Sequence, residues 1–69
     1  MKRHKYHQHH RRPRSRGGTD APENISLVDQ DRHRAWHRLF SNHTPDVIAT
    51  IITTEWLDPE WELVARRKT

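Results

Sequence analysis

Apolar residues are sparse along this chain, and they gather in a few short clusters separated by polar stretches. Ala35, Trp36, Leu39 and Phe40 fall at i, i+1, i+4 and i+5, which is one face of a helix. Asp29 stands ahead of them as a good N-cap, and Asp31 puts a carboxylate near the positive end of the helix dipole. A helix is therefore predicted to begin after Asp29 and to end at Ser41-Asn42-His43. Thr44-Pro45-Asp46 starts a second one, with Thr44 as cap and Pro45 in the first helical position, where its missing N–H costs nothing. Val47, Ile48, Ile51, Ile52 and Trp56 repeat the same spacing, so the two stripes are expected to pack together as a helical pair.

The remaining clusters read as extended chain. Ile25-Ser26-Leu27-Val28 is a short β-prone run suited to a strand partly packed on a core. Residues 60–64 alternate like a half-buried strand, although Asp58-Pro59-Glu60 could equally begin a third helical turn; the strand is the preferred reading. The stretch 8–16 carries Pro13, so if extended it is an edge strand or a broken one. Gly17-Gly18 and Thr19-Asp20-Ala21-Pro22 form a loop, since glycine permits positive φ and proline stops pairing. Residues 1–8 are expected to be a flexible basic segment preceding a single domain over 9–69.

Composition makes that domain marginal. With 69 residues, 30% of them hydrophobic and 32% charged, an apolar core alone is thin support, and small scaffolds usually add a metal, disulfides or a second subunit. Cysteine is absent, which removes disulfides together with zinc-ribbon, redox and thiol-nucleophile chemistry. Seven histidines leave a metal ion as the leading staple, with a homodimer or a partner protein as the other. No apolar run reaches the length of a membrane span, and none follows the basic start as a signal peptide requires. The expectation is a cytoplasmic protein with no membrane partner.

Charge is unevenly placed. The net +4 hides seven Lys or Arg and no acid within residues 1–16, nine acids between Asp20 and Glu62, and a closing Arg66-Arg67-Lys68. Two basic ends suit a polyanionic partner, because each Lys or Arg on a phosphate releases a condensed counterion. A solvated basic tail is the plain alternative.

His33 and His37 stand four apart on the first predicted helix, where both imidazoles can reach one ion. Taken alone, the pair could equally be two exposed histidines among arginines. His9 and His10 are neighbours, and in an extended strand their side chains point to opposite faces. One of the two would bind an ion and the other would be free for other work. Trp36 and Phe40 share a stripe with Leu39 and read as core, whereas Trp56 and Trp61 suit either the core or a dimer interface.

Order and spacing together carry more than any pair. His9-His10, then Pro13, Ser15 and Gly17-Gly18, then Asn24-Ile25 entering a short strand, then His33 and His37 on a helix, resembles the HNH endonuclease motif. Within that superfamily it is most similar to the bacteriocin DNases of the colicin and pyocin type. The match covers residues 9–37, under half of the chain; residues 41–69 resemble the tails of small HNH-like proteins from bacteria and phage. Upstream of His9 the bacteriocin enzymes carry a further arginine–acid pair, and only eight residues precede it here, a departure that touches substrate clamping and not the metal site.

The resemblance implies an α+β fold, a ββα-metal (His-Me finger) core over 9–41 followed by a C-terminal helix and short strand over 44–66. It implies His9, His33 and His37 as ligands of one divalent ion (zinc, manganese, magnesium or nickel), His10 as general base, and Asn24 as the residue that pins the loop between the strands. Three neutral imidazoles with an open position are how a catalytic site holds a transition metal. The implied activity is phosphodiester hydrolysis of DNA with little sequence specificity, leaving a 5′-phosphate and a 3′-hydroxyl, in the cytoplasm of a bacterial or phage-infected cell. RNA stays open as substrate. Arg11, Arg12, Arg14, Arg16, Arg34 and Arg38 are the candidates to hold the nucleic-acid backbone, positioning it without reading its sequence. From a different class, a catalytically inactive nucleic-acid-binding or accessory protein with a structural metal would retain the same fold.

Overall fold

Two short strands carry the architecture. In the computed structural model, which describes residues 5–68, β1 (Tyr6–His10) and β2 (Ile25–Asp29) pair antiparallel, with Tyr6 opposite Asp29 and His10 opposite Ile25. The ladder is continued at each end by Gln30 N–H to the Lys5 carbonyl (2.8 Å) and Arg11 N–H to the Asn24 carbonyl (2.8 Å). Two helices follow, α1 (Gln30–Phe40) and α2 (Pro45–Glu55), and the whole is a small α+β fold whose order is compatible with a ββα arrangement.

The strand β1 starts earlier than expected. Tyr6, His7 and Gln8 belong to the ladder and not to a flexible segment, because β2 is five residues long and offers each of them a partner. Met1–His4 of the expected basic segment, with Lys2 and Arg3, lie outside the described residues.

The loop between the strands folds back through two 3₁₀ turns, Arg14–Arg16 and Pro22–Asn24. Pro13 caps the first, accepting from the N–H groups of Arg16 and Gly18 at 2.9 Å each. Gly17 takes the left-handed conformation (φ 84°), and a Cβ on Gly18 would run into the Arg12 carbonyl, so both positions need glycine.

From β2 the chain enters α1 without a connecting loop. Asp29 ends the strand and caps the helix, its carboxylate accepting from Asp31 N–H (3.1 Å) and Arg32 N–H (3.2 Å). That direct junction holds α1 against both strands. Pro45 opens α2 as expected, and Thr50 and Thr54 return their hydroxyls to the carbonyls of Asp46 and Thr50.

Two expectations fail here. The helices do not run side by side as a packed pair among the described residues. Trp36 of α1 lies against Phe40 (ring centroids 4.7 Å apart) and His9 (6.2 Å), and with Ile48, Ala49 and Ile52 of α2 and Leu63 and Val64 it borders an open cleft in place of an interlocked helix–helix seam. Residues 60–64 form neither the terminal strand nor a third helix. An Asx turn at Asp58 leads into irregular chain, and Thr53 Oγ brackets Leu63, accepting its N–H at 2.9 Å and donating to its carbonyl at 3.2 Å. A side-chain hydroxyl thus satisfies the backbone groups that a strand would have offered to a ladder.

The core is as thin as the composition implies: among the described residues only Phe40 and Ala49 are buried. Trp36 is at the edge of exposure, and Leu39, Trp56 and Trp61 are exposed, so the aromatic stripe supplies less core than its spacing suggests. Among the described residues no helix is long and apolar enough to cross a membrane.

Candidate metal centre and basic loop

Alternation along β1 decides which histidines meet. His7 and His9 stand opposite Val28 and Ser26, while His10 stands opposite Ile25 on the other face. α1 lies against the sheet with His33 and His37 one turn apart, and His9 joins them: ring centroids are 5.2 Å (His9–His33), 5.7 Å (His9–His37) and 4.6 Å (His33–His37). One nitrogen from each of the three lies within 4.8 Å of the others, close enough to hold a metal ion.

The donor set fits a borderline transition ion. Three imidazoles with no thiolate or carboxylate among them match the open, three-ligand pattern. Ions of this class sit about 2.0–2.1 Å from imidazole nitrogen, so ligand nitrogens around a tetrahedral one are about 3.3 Å apart. His33 Nε2 and His37 Nε2 already approach to 2.9 Å, and a His9 nitrogen lies within 4.8 Å of a nitrogen of each. Burial holds the pKa of His9 below the usual imidazole value, with His33, His37 and His10 adding charge repulsion. Burial also lowers His33, helped by His37 and His7. Both rings are thereby kept in the neutral, ligating form.

His7 was not singled out by sequence reasoning, yet its Nδ1 lies 3.3 Å from Nδ1 of His33, the nitrogen opposite the one that meets His37. With Nε2 of His33 reserved for an ion, its Nδ1 carries the proton and donates to His7. Strand parity with His9 was the signal that could have found it.

His10 is not free, as had been expected. Its Nε2 lies 2.8 Å from Asp20 Oδ1, and Arg14 donates to the same carboxylate at 2.9 and 3.2 Å. Arg14 Nε also approaches His10 Nε2 at 3.3 Å, but one nitrogen cannot donate to Asp20 and accept from Arg14 together. The shorter contact to the carboxylate sets the tautomer with hydrogen on Nε2, and Nδ1 keeps its lone pair. The pKa of Asp20 is lowered, first by the His10 hydrogen bond and then by Arg14, so it stays ionised. His10, His33, His37, Gln8, Arg14 and Ser15 border one open cleft of about 280 Å³, so the base candidate and two ligands face common space.

Asn24 spans the loop. Its Oδ1 accepts Arg12 N–H at 2.7 Å, and its Nδ2 donates to the carbonyls of Thr19 (2.7 Å) and Arg12 (3.2 Å), using one acceptor and both donors. Asp20 follows Thr19 directly, so this clamp also places the carboxylate beside His10.

The arginines divide. Arg11, Arg12 and Arg16 each give one N–H to a backbone carbonyl, of Glu23, Arg16 and His43, and retain other donors. Arg14 is engaged with Asp20, while Arg34 and Arg38 are exposed on α1. No family model, no curated protein and no solved structure matches the chain.

Proposed function

We propose that this chain is a metal-dependent endonuclease of the HNH, ββα-metal type, hydrolysing phosphodiester bonds of DNA with little sequence specificity. The observation that carries the reading is the convergence of His9 from a strand with His33 and His37 from a helix, beside a differently oriented His10. A divalent ion held by the three imidazoles supplies Lewis-acid stabilisation of the negative charge that grows on a phosphate oxygen.

The chain's own residues do the rest. His10, with its Nε2 hydrogen held by Asp20, keeps the Nδ1 lone pair to accept a proton from water. That nitrogen takes a proton as the water oxygen bonds to phosphorus and the bond to the 3′ oxygen breaks; the departing oxygen takes a proton from solvent, leaving a 5′-phosphate and a 3′-hydroxyl. Asp20 stabilises the imidazolium so formed, and Asn24 keeps the loop that carries Asp20 closed over β1. Arg34, Arg38 and the unused donors of the loop arginines hold the nucleic-acid backbone.

The test is plasmid nicking with added zinc, manganese, magnesium or nickel, by the native chain and by His10→Ala. The native chain nicks DNA with at least one ion, and His10→Ala loses cleavage while still binding metal and DNA. Equal cleavage by both removes His10 as base. Metal and DNA binding with no cleavage under any ion would instead support a silent nucleic-acid-binding module, a reading that the thin core favours by giving an ion a structural use.

A further inference from the structure

The two basic ends of the chain, remote in sequence, meet in the fold. Arg66 and Arg67 line an open cleft of about 590 Å³ together with Arg11, Arg12 and Arg16 of the loop after β1. Asp46 is the one acid lining it, and its carboxylate is bound to the Thr44 hydroxyl. Among the described residues none of the five guanidinium groups lies within ion-pair distance of a carboxylate. Among the described residues, five arginines against one aspartate, itself coupled to Arg16, leave this cleft with a net positive field.

We propose that this cleft is a second nucleic-acid contact, a phosphate clamp in which the C-terminal Arg66 and Arg67 close over a backbone segment away from the histidine cleft. The side chains favour this partner. All five cations are arginine, whose planar fork pairs two N–H donors with one phosphate. Loop arginines are preset by hydrogen bonds to carbonyls, so less side-chain freedom is lost when they bind. The cleft also adjoins the site: Arg11 and Arg16 border both it and the apolar cleft that reaches His9, His10 and His37. A strand held here runs on toward those histidines. The clamp rests on the proposed nucleic-acid substrate but not on cleavage.

The experiment measures binding without chemistry. Affinity of the full, zinc-loaded chain for a fluorescein-labelled duplex with an uncleavable phosphorothioate backbone is followed by anisotropy between about 50 and 200 mM salt. The native chain is compared with Arg66→Gln/Arg67→Gln and with Lys5→Gln/Arg32→Gln, which removes the same charge away from the cleft. Losing two phosphate contacts flattens the slope of log affinity against log salt by about 1.8, and the second pair changes it little. An unchanged slope for Arg66→Gln/Arg67→Gln, or an equal change in both pairs, overturns the clamp. So does a dependence on Arg66 and Arg67 seen only with phosphatidylglycerol vesicles, which would make the partner a lipid surface. A chain that shows the expected slopes yet nicks no plasmid keeps the clamp and loses the nuclease; the converse result loses the clamp alone.

Discussion

His10 Nε2 and Asp20 Oδ1 are 2.8 Å apart, joining the end of β1 to a loop residue ten positions later. Asp20 is largely exposed, so the bond is worth little to stability and matters for orientation. It selects which ring nitrogen of His10 keeps its lone pair. Asp20→Ala is expected to slow single-turnover nicking about 10-fold, less than the roughly 10²–10⁴-fold that a general base contributes, with metal affinity unchanged. An unaltered rate would show that the carboxylate does not hold the base.

The contact between His7 and His33 makes a separate claim on metal affinity. His7→Ala is expected to weaken binding about 10-fold, at the lower end of the range for partners that orient a ligand. His7→Asn restores most of the loss, because its Oδ1 occupies nearly the place of the ring Nδ1 and accepts the same hydrogen. Competition against a chromophoric chelator reads both constants. Equal losses in the two variants would mean that His7 matters only as bulk.

With Phe40 and Ala49 the only buried residues among those described, an ion at the histidine cluster adds a large fraction of the folding free energy. Zinc at about 100 times its dissociation constant contributes about 2.7 kcal/mol, which in a domain of this size raises Tm by roughly 10–20 °C. A chelator reverses the shift, and His37→Ala is expected to abolish it. Calorimetry that finds the same Tm with and without zinc would remove the ion from the folding account.

The lowered pKa values of His9 and His33 give a signed pH dependence in the absence of metal. The unfolded chain takes up protons at these two residues near the ordinary imidazole value of 6.5, while the folded chain resists until lower pH. Between those limits the unfolded state binds more protons, so stability falls as pH falls. Their contribution is complete above about pH 6.5 and is lost toward the lower folded values. Urea denaturation of the metal-free protein at a series of pH values checks the slope. A midpoint that rises on acidification through this window contradicts it.

Much of the site was legible because it is written in local periods. The helix from Gln30 follows from Asp29 and the apolar spacing, and it places His33 and His37 one turn apart whatever surrounds it. Strand alternation separates His9 from His10, and the turn chemistry of Pro13, Gly17 and Gly18 marks the loop. Thr44-Pro45 marked the second helix equally well. What the helices would pack against was not legible, because amphipathic spacing names a face without naming its partner; Trp36 turned out to serve His9 and Phe40.

By itself, then, the sequence determined the two helices, the strand β2, the Asp29 cap and which side chains share a face, since these depend on contacts within a few residues; Thr44 makes no side-chain cap bond and the strand read over 60–64 does not form. Only the tertiary structure decided the register that puts His7 beside His33, the loop closure that brings Asp20 to His10, and the fate of the tail. Leu63 went to the Thr53 hydroxyl in place of a strand, and Arg66 and Arg67 went to the loop arginines. The reason is that such pairings compare alternatives far apart along the chain, and no local spacing records which of them wins.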